Sequence, residues 1–282
     1  FPDSIDLAKE RLGGLLPAEN FRVWQPAPFM PSGSAGHTRA QERLYEAFIA
    51  SLQPDAVHVT SLFEGLGDAT ATSIGSFLSQ PTAVTLYDLI PLIHPHPYLD
   101  NPAVRSWYMR KIGALRRADL WLAISESSRR KGIDHLGLDP DRCINVSTAA
   151  DEHFRKVEIP QERERALRSH YGLRKPFVMC TGGIDHRNDI DGLVRALALL
   201  PAQLRNSHQL AVVYSARQDD RDAILELARK NGIADGDVVV TGCLTDQELV
   251  ELYNLCALFV VPSFHQGFAL PALEAMRCGA AV

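Results

Sequence analysis

Short apolar or β-branched runs recur along the chain at Ala56–Thr60, Thr82–Tyr87, Leu120–Ile124, Cys143–Ser147, Phe177–Thr181, Leu210–Tyr214, Asp237–Thr241 and Leu258–Val261. Their continuous apolar character predicts strands buried on both faces, as in a parallel sheet. Between the runs the apolar period lengthens to that of a helix. Leu44, Phe48 and Leu52 recur every four residues before the first run, and Ile190, Leu193, Leu197 and Leu200 follow the fifth. Thr245-Asp246-Gln247-Glu248 has the spacing of a capping box, in which hydroxyl and carboxylate each satisfy a backbone amide, so a helix starts there. Alternating strand and helix predicts an α/β protein with doubly wound sheets.

A charged stretch, Gln161 to Arg168, precedes the strand run at Phe177 and sets a domain boundary at about Ile159. The expected domains are 1–159 and 160–282, which suits a length of 282 residues. Hydrophobic residues at 46% and charged residues at 22% exclude a disordered or coiled-coil chain. With 29 basic and 34 acidic residues the net charge is −5, so no global positive field exists to hold nucleic acid or an anionic membrane. The longest apolar run, Leu255 to Val261, falls well short of the roughly 20 residues that span a bilayer. Five cysteines (143, 180, 243, 256 and 278) form no CxxC pair and read as reduced, buried thiols of a cytosolic protein.

The densest chemistry lies from Val261 to Met276, which runs from a strand through a loop of small residues into a helix. Pro271 suits the first helical position, leaving the amides of Phe268, Ala269 and Leu270 to point at a phosphate, and the helix dipole adds to the attraction. Glu274 sits about one turn further on, where its carboxylate can accept from two neighbouring hydroxyls such as a ribose diol. Other signals lead nowhere. The Asp-x-Asp pairs are what 34 acidic residues produce by chance, and His94 and His96 sit among prolines with no third ligand at zinc spacing. Gly65-Leu66-Gly67 lacks the third glycine of a dinucleotide fingerprint. No metal site and no cofactor are expected.

The segment Ser263 to Gly279 closely resembles the signature of the retaining glycosyltransferases of GT-B fold known as group 1, or family 4. Three further segments resemble the family in its order: Thr82 to Leu92, Ala123 to Arg129, and Cys180 to Asp185. Tyr87 to Leu92 and Ser61-Leu62-Phe63-Glu64-Gly65 look like segments of bacterial lipopolysaccharide mannosyltransferases. The resemblance implies two Rossmann-like domains facing a cleft, with the acceptor held by the first, a nucleoside-diphosphate sugar held by the second, and transfer with retention of anomeric configuration. It assigns donor binding to Gly182, Gly183, Arg187, Gly267, Phe268, Ala269, Leu270 and Glu274. Tyr87, Asp88 and Gln266 are its catalytic candidates, and Ser125 lies at the cleft; read from the residues alone, Asp88 is equally the cap of the following turn and Ser125 the N-cap of the helix that starts at Glu126. It also places Phe1 after the family's first strand and acceptor loop, and Val282 before its closing helices, so both domains are expected to be clipped.

Two departures bear on activity. Gln266 stands where the family usually has glutamate, so it can hydrogen-bond a hydroxyl but supplies no negative charge to a developing oxocarbenium ion. Arg187-Asn188-Asp189 stands where the family has Arg-Lys-Asn, which removes one cation from the diphosphate site. The leading expectation is a hexosyltransferase that moves mannose from GDP-mannose onto a polysaccharide or lipid-linked glycan. It would work in the cytoplasm, at the inner face of the plasma membrane; Arg116-Arg117 and Arg129-Arg130-Lys131 read either as solvated helix faces or as points of peripheral membrane contact. The alternatives are a nucleotide-sugar-binding module with little transferase activity and an epimerase or hydrolase of the same fold.

Overall fold

The computed structural model describes residues 5–6, 9–10, 12–26, 35–182, 187–215 and 217–282. All eight apolar runs form strands: β1 (Val57–Val59), β2 (Thr82–Leu86), β3 (Leu120–Ala123), β4 (Cys143–Asn145), β5 (Phe177–Thr181), β6 (Gln209–Val213), β7 (Val238–Val240) and β8 (Leu258–Phe259). They make two parallel four-stranded sheets. The chain divides into two compact units. The first comprises Phe1–Leu86, Ile93–Ala123 and Arg129–Asn145; the second comprises Tyr87–Leu92, Ile124–Ser128 and Val146–Val282.

In the first unit the strand order is β1-β2-β3-β4, each strand pairing with the next in sequence. The longer helices here are α1 (Ala35–Ser51), α2 (Pro102–Leu115) and α3 (Glu126–Leu136). Asn101 caps α2 by accepting from the amides of Ala103 and Val104, with Pro102 in the first turn. The helix predicted from Leu44, Phe48 and Leu52 is present as α1, yet Leu44 and Leu52 are exposed while Glu42 and Glu46 are buried. The reason lies in the next connection. The chain between β1 and β2 contains no helix, contrary to the expected rhythm, and its backbone groups need other partners. Glu46 supplies them by accepting from the amides of Ser76, Phe77 and Leu78 at 2.5–2.9 Å. Lys111 of α2 donates to the carbonyl and hydroxyl of Thr72 at 2.5 and 2.8 Å, and lies 3.6 Å from Glu42. Burial pushes the Lys111 ammonium down to about 8, against the pull of Glu42 in the other direction.

In the second unit the order is β7-β6-β5-β8. The chain begins in the middle at β5, steps outward to β6 and β7, then returns to place β8 on the other side of β5. The strand order therefore reverses between β5 and β8, the position at which open parallel sheets offer a crevice at their carboxyl ends. Burial on both faces holds in central β6, whose first four residues are buried. It does not hold at the edges, where Ile144 of β4 and Leu258 of β8 are exposed because an edge strand has a neighbour on one side only.

The helices of this unit are α4 (Gln161–Tyr171), α5 (Ile190–Leu199), α6 (Gln218–Lys230), α7 (Asp246–Leu255) and α8 (Leu270–Arg277), besides a short one at Ala202–Ser207. The charged stretch before β5 is α4, which buries Leu167 and Tyr171 and pairs Arg163 with Glu251 of α7 at 2.7 Å. The capping box is formed as spaced: Thr245 Oγ1 accepts from the Glu248 amide at 3.2 Å, and the Glu248 carboxylate accepts from the Thr245 amide at 3.0 Å. In α5, Ile190, Val194 and Leu197 are buried, whereas Leu200 lies just past its end and is exposed.

Candidate functional site

A cavity of about 390 Å³ opens at the carboxyl ends of β5 and β8. Thr181 lines it from the end of β5 and Gly182 from just beyond, Arg187 and Asn188 from the segment before α5, Ser263, Gln266 and Ala269 from the segment after β8, and Pro271 and Glu274 from α8. Leu249 and Tyr253 of α7 complete the wall. Gly182 sits at φ +111°, a conformation that L side chains rarely adopt, and a Cβ there would meet the Asn188 side chain at 3.0 Å. Gly183 lies outside the described residues.

The entry to α8 differs in detail from the expected one. The helix begins at Leu270, so Pro271 takes its second position, and Ala269 before it is left-handed at φ 66°, ψ 55° with no side-chain cap. A non-glycine residue in that region stores strain, which persists only where the surroundings impose it. Ala269 and Pro271 line the cavity; Gly267, Phe268 and Leu270 are not among its lining residues.

Glu274, in the second turn of α8, brings the cavity its carboxylate. Burial holds its proton affinity above the usual carboxylate range, and the Tyr253 hydroxyl and His153 act in the opposite direction. Tyr253 donates to Glu274 Oε2 at 3.1 Å. Arg187 brings a cation to the cavity, and its Nη1 lies 4.0 Å from Asp88 Oδ2. The other Asp88 oxygen accepts from the Ile90 amide at 3.0 Å, so this carboxylate both caps a turn and faces a guanidinium.

The two departures from the family meet in space. Gln266 Nε2 donates to Ser263 Oγ at 2.7 Å, and Ser263 Oγ donates to Asn188 Oδ1 at 2.8 Å. Asn188 and Ser263 also pair as an isolated antiparallel bridge. One wall of the cavity is therefore a neutral amide–hydroxyl–amide chain. Within the same unit, Ser125 accepts from the Ser128 amide at 2.9 Å, the geometry of a helix cap, and donates to the Gly267 carbonyl at 2.7 Å. The Tyr87 carbonyl accepts from Ser128 Oγ at 2.5 Å, while the Tyr87 side chain is half exposed and does not line the cavity. Gly267 is needed for close approach: a Cβ there would stand 2.8 Å from the Tyr87 carbonyl oxygen.

Sequence reasoning missed Tyr253, Leu249 and Ser263. Leu249 and Tyr253 stand four apart on α7 and so share one helix face, which is the signal that was available. Among the described residues no three His, Cys, Asp or Glu side chains gather as metal ligands, and no helix is long and apolar enough to cross a membrane.

The profile of the group 1 glycosyl transferases matches residues 164–282, and that of glycosyltransferase family 4 matches residues 6–154. The chain belongs to the group 1, family 4 glycosyltransferases. It is 36% identical over 99% of its length to the serotype-specific mannosyltransferase WbdA of Escherichia coli, of which it covers 35%. It is 30% identical to the O-antigen chain mannosyltransferase B of Escherichia coli, over 71% of this chain and 52% of that one. The chain thus spans about a third to a half of the length of these curated relatives. In fold it is similar to WaaG, a glycosyltransferase involved in lipopolysaccharide biosynthesis, at TM-score 0.65 and 17% identity, over 92% of this chain and 69% of that one. It is also similar to Anabaena HepE in complex with UDP-glucose, at TM-score 0.57 and 18% identity, over 71% of this chain and 52% of that one. Two parallel Rossmann-like sheets with these neighbours make the fold GT-B.

Proposed function

We propose that the chain is the nucleotide-sugar-binding and transferring part of a mannosyltransferase that moves mannose from GDP-mannose, with retention, onto a polysaccharide or lipid-linked glycan. The observation that carries this reading is the cavity at the β5–β8 switch point, with Glu274, Arg187 and the start of α8 converging on it. In the transfer, the bond from the anomeric carbon to the diphosphate oxygen breaks and a bond to an acceptor hydroxyl oxygen forms. The hydroxyl proton leaves with the diphosphate. Arg187 and the α8 amides stabilise the charge that develops on the departing diphosphate. Glu274 receives the ribose diol, and Asp88 orients sugar hydroxyls. Retention requires attack from the face the diphosphate leaves. The names of the Escherichia coli relatives favour mannose and an O-antigen type of acceptor. No metal enters this scheme, because the leaving charge has protein partners. The cytoplasmic face of the plasma membrane is where such acceptors are reached. Arg117 and Arg129 are engaged within the protein, donating to the carbonyls of Ile74 and Cys143.

The neutral Gln266–Ser263–Asn188 chain favours a second reading, a nucleotide-sugar-binding lobe with weak transfer. A thermal-shift screen of GDP, UDP, ADP and their hexoses, followed by a turnover assay with a mannosylated acceptor, separates the two. The first reading predicts stabilisation by GDP-mannose and a product of retained configuration. Stabilisation with no turnover supports the second, and no stabilisation by any nucleotide sugar overturns both.

A further inference from the structure

We infer that Tyr253 is a positioning residue of the donor site, whose hydroxyl holds the Glu274 carboxylate in the orientation that receives the ribose diol. The inference rests on the reading of Glu274 as the diol acceptor and adds a residue to it. Tyr253 is fully buried in α7, and its ring packs edge-on against Phe259 at 5.2 Å and Phe154 at 6.0 Å between centroids. Two aromatic neighbours on separate segments fix the ring and with it the position of its hydroxyl oxygen. A buried phenol is costly without a hydrogen-bond partner, and this one donates to Glu274 Oε2 at 3.1 Å.

A glutamate has three rotatable side-chain bonds and loses the corresponding freedom when it must present two oxygens to a ligand. The bond from a fixed phenol removes much of that freedom before the ligand arrives. It occupies one lone pair of a carboxylate that offers about four, leaving the others for the diol. The same bond favours the ionised carboxylate, in opposition to the burial that raises its proton affinity. Tyr253 thus pre-organises Glu274 and favours its charged form.

Tyr253→Phe tests this, since it keeps the ring contacts and deletes only the hydroxyl. Calorimetry on the full chain, with whichever of GDP and UDP binds more tightly, should show affinity reduced about fivefold to tenfold. The 2′,3′-dideoxy analogue of that nucleotide should bind wild type and Tyr253→Phe equally, because it offers Glu274 no diol. Adding Tyr253→Phe to Glu274→Ala should bring no further loss. Should Tyr253→Phe fail to fold, Glu274→Asp, which draws the carboxylate away from the phenol by a methylene, should show the same diol-dependent loss. Unchanged affinity in Tyr253→Phe beside a weakened Glu274→Ala overturns the inference and leaves the Glu274 reading intact. An equal loss for the dideoxy analogue also overturns it, as a merely structural effect. Unchanged affinity in Glu274→Ala, or no binding of either nucleotide by the wild type, overturns the underlying reading and this inference with it.

Discussion

Glu274 and Arg187 bring opposite charges to one cavity, and the chemistry proposed there depends on both staying ionised. Glu274→Ala should weaken nucleoside-diphosphate affinity by about 1–3 kcal/mol, measured by calorimetry, because buried hydrogen bonds to the diol are lost. Its proton affinity is held above the usual carboxylate range, and the neutral form accepts less well. Donor affinity should therefore fall as the pH is lowered, with a midpoint above the ordinary glutamate value, and Glu274→Gln should abolish that dependence. Arg187→Ala should cost about 1.5–3 kcal/mol for GDP and much less for guanosine, since a charge-assisted bond to the diphosphate is what it removes. Equal losses for GDP and guanosine would take Arg187 away from the diphosphate. The amide chain of Gln266, Ser263 and Asn188 suggests the opposite kind of variant. Gln266→Glu restores a negative charge beside the reacting sugar and should raise turnover without tightening donor binding.

At the scale of elements, α7 supplies both Tyr253 and Leu249 to the cavity, and its start is fixed by the Thr245–Glu248 box. Thr245→Ala should lower the stability of the chain by about 1 kcal/mol in urea unfolding, because the Glu248 amide loses the hydroxyl that accepts from it. The strands, the capping box and the Glu274 loop were legible because each is written in a contiguous stretch. Apolar runs of about five residues specify buried strands, and the helix entry after β8 carries its own proline. The connection from β1 to β2 was not legible. Its backbone is satisfied by Glu46 and Lys111, whose partners lie about 30 and 39 positions away, and no local period records a pairing at that distance. Glu42 and Glu46 are buried in α1 while Leu44 and Leu52 are exposed and Phe48 packs against Trp24, which a helical count of apolar residues cannot anticipate. Tyr253 escaped for a related reason: a tyrosine on an amphipathic helix reads as core, and only its proximity to Glu274 gives it a second role.

For the whole molecule, net charge and length say little about activity, but one buried lysine ties stability to pH. Burial pushes the Lys111 ammonium down to about 8 in the folded protein, from the ordinary lysine value of 10.5. Between those values the unfolded chain holds the additional proton, so this group makes stability rise as the pH goes from 8 to 10.5. Urea midpoints measured across that range should climb for the wild type more than for Lys111→Met, and parallel slopes would show that Lys111 is not responsible. The same two-unit chain carries the central claim, that its β5–β8 crevice holds a nucleoside-diphosphate sugar through Glu274. The most direct test is a calorimetric titration of wild type and Glu274→Ala with GDP-mannose and GDP. The expected result is saturable one-site binding by the wild type and an affinity roughly fivefold or more weaker in the variant. Equal affinities, or no binding of either ligand to the wild type, would contradict it.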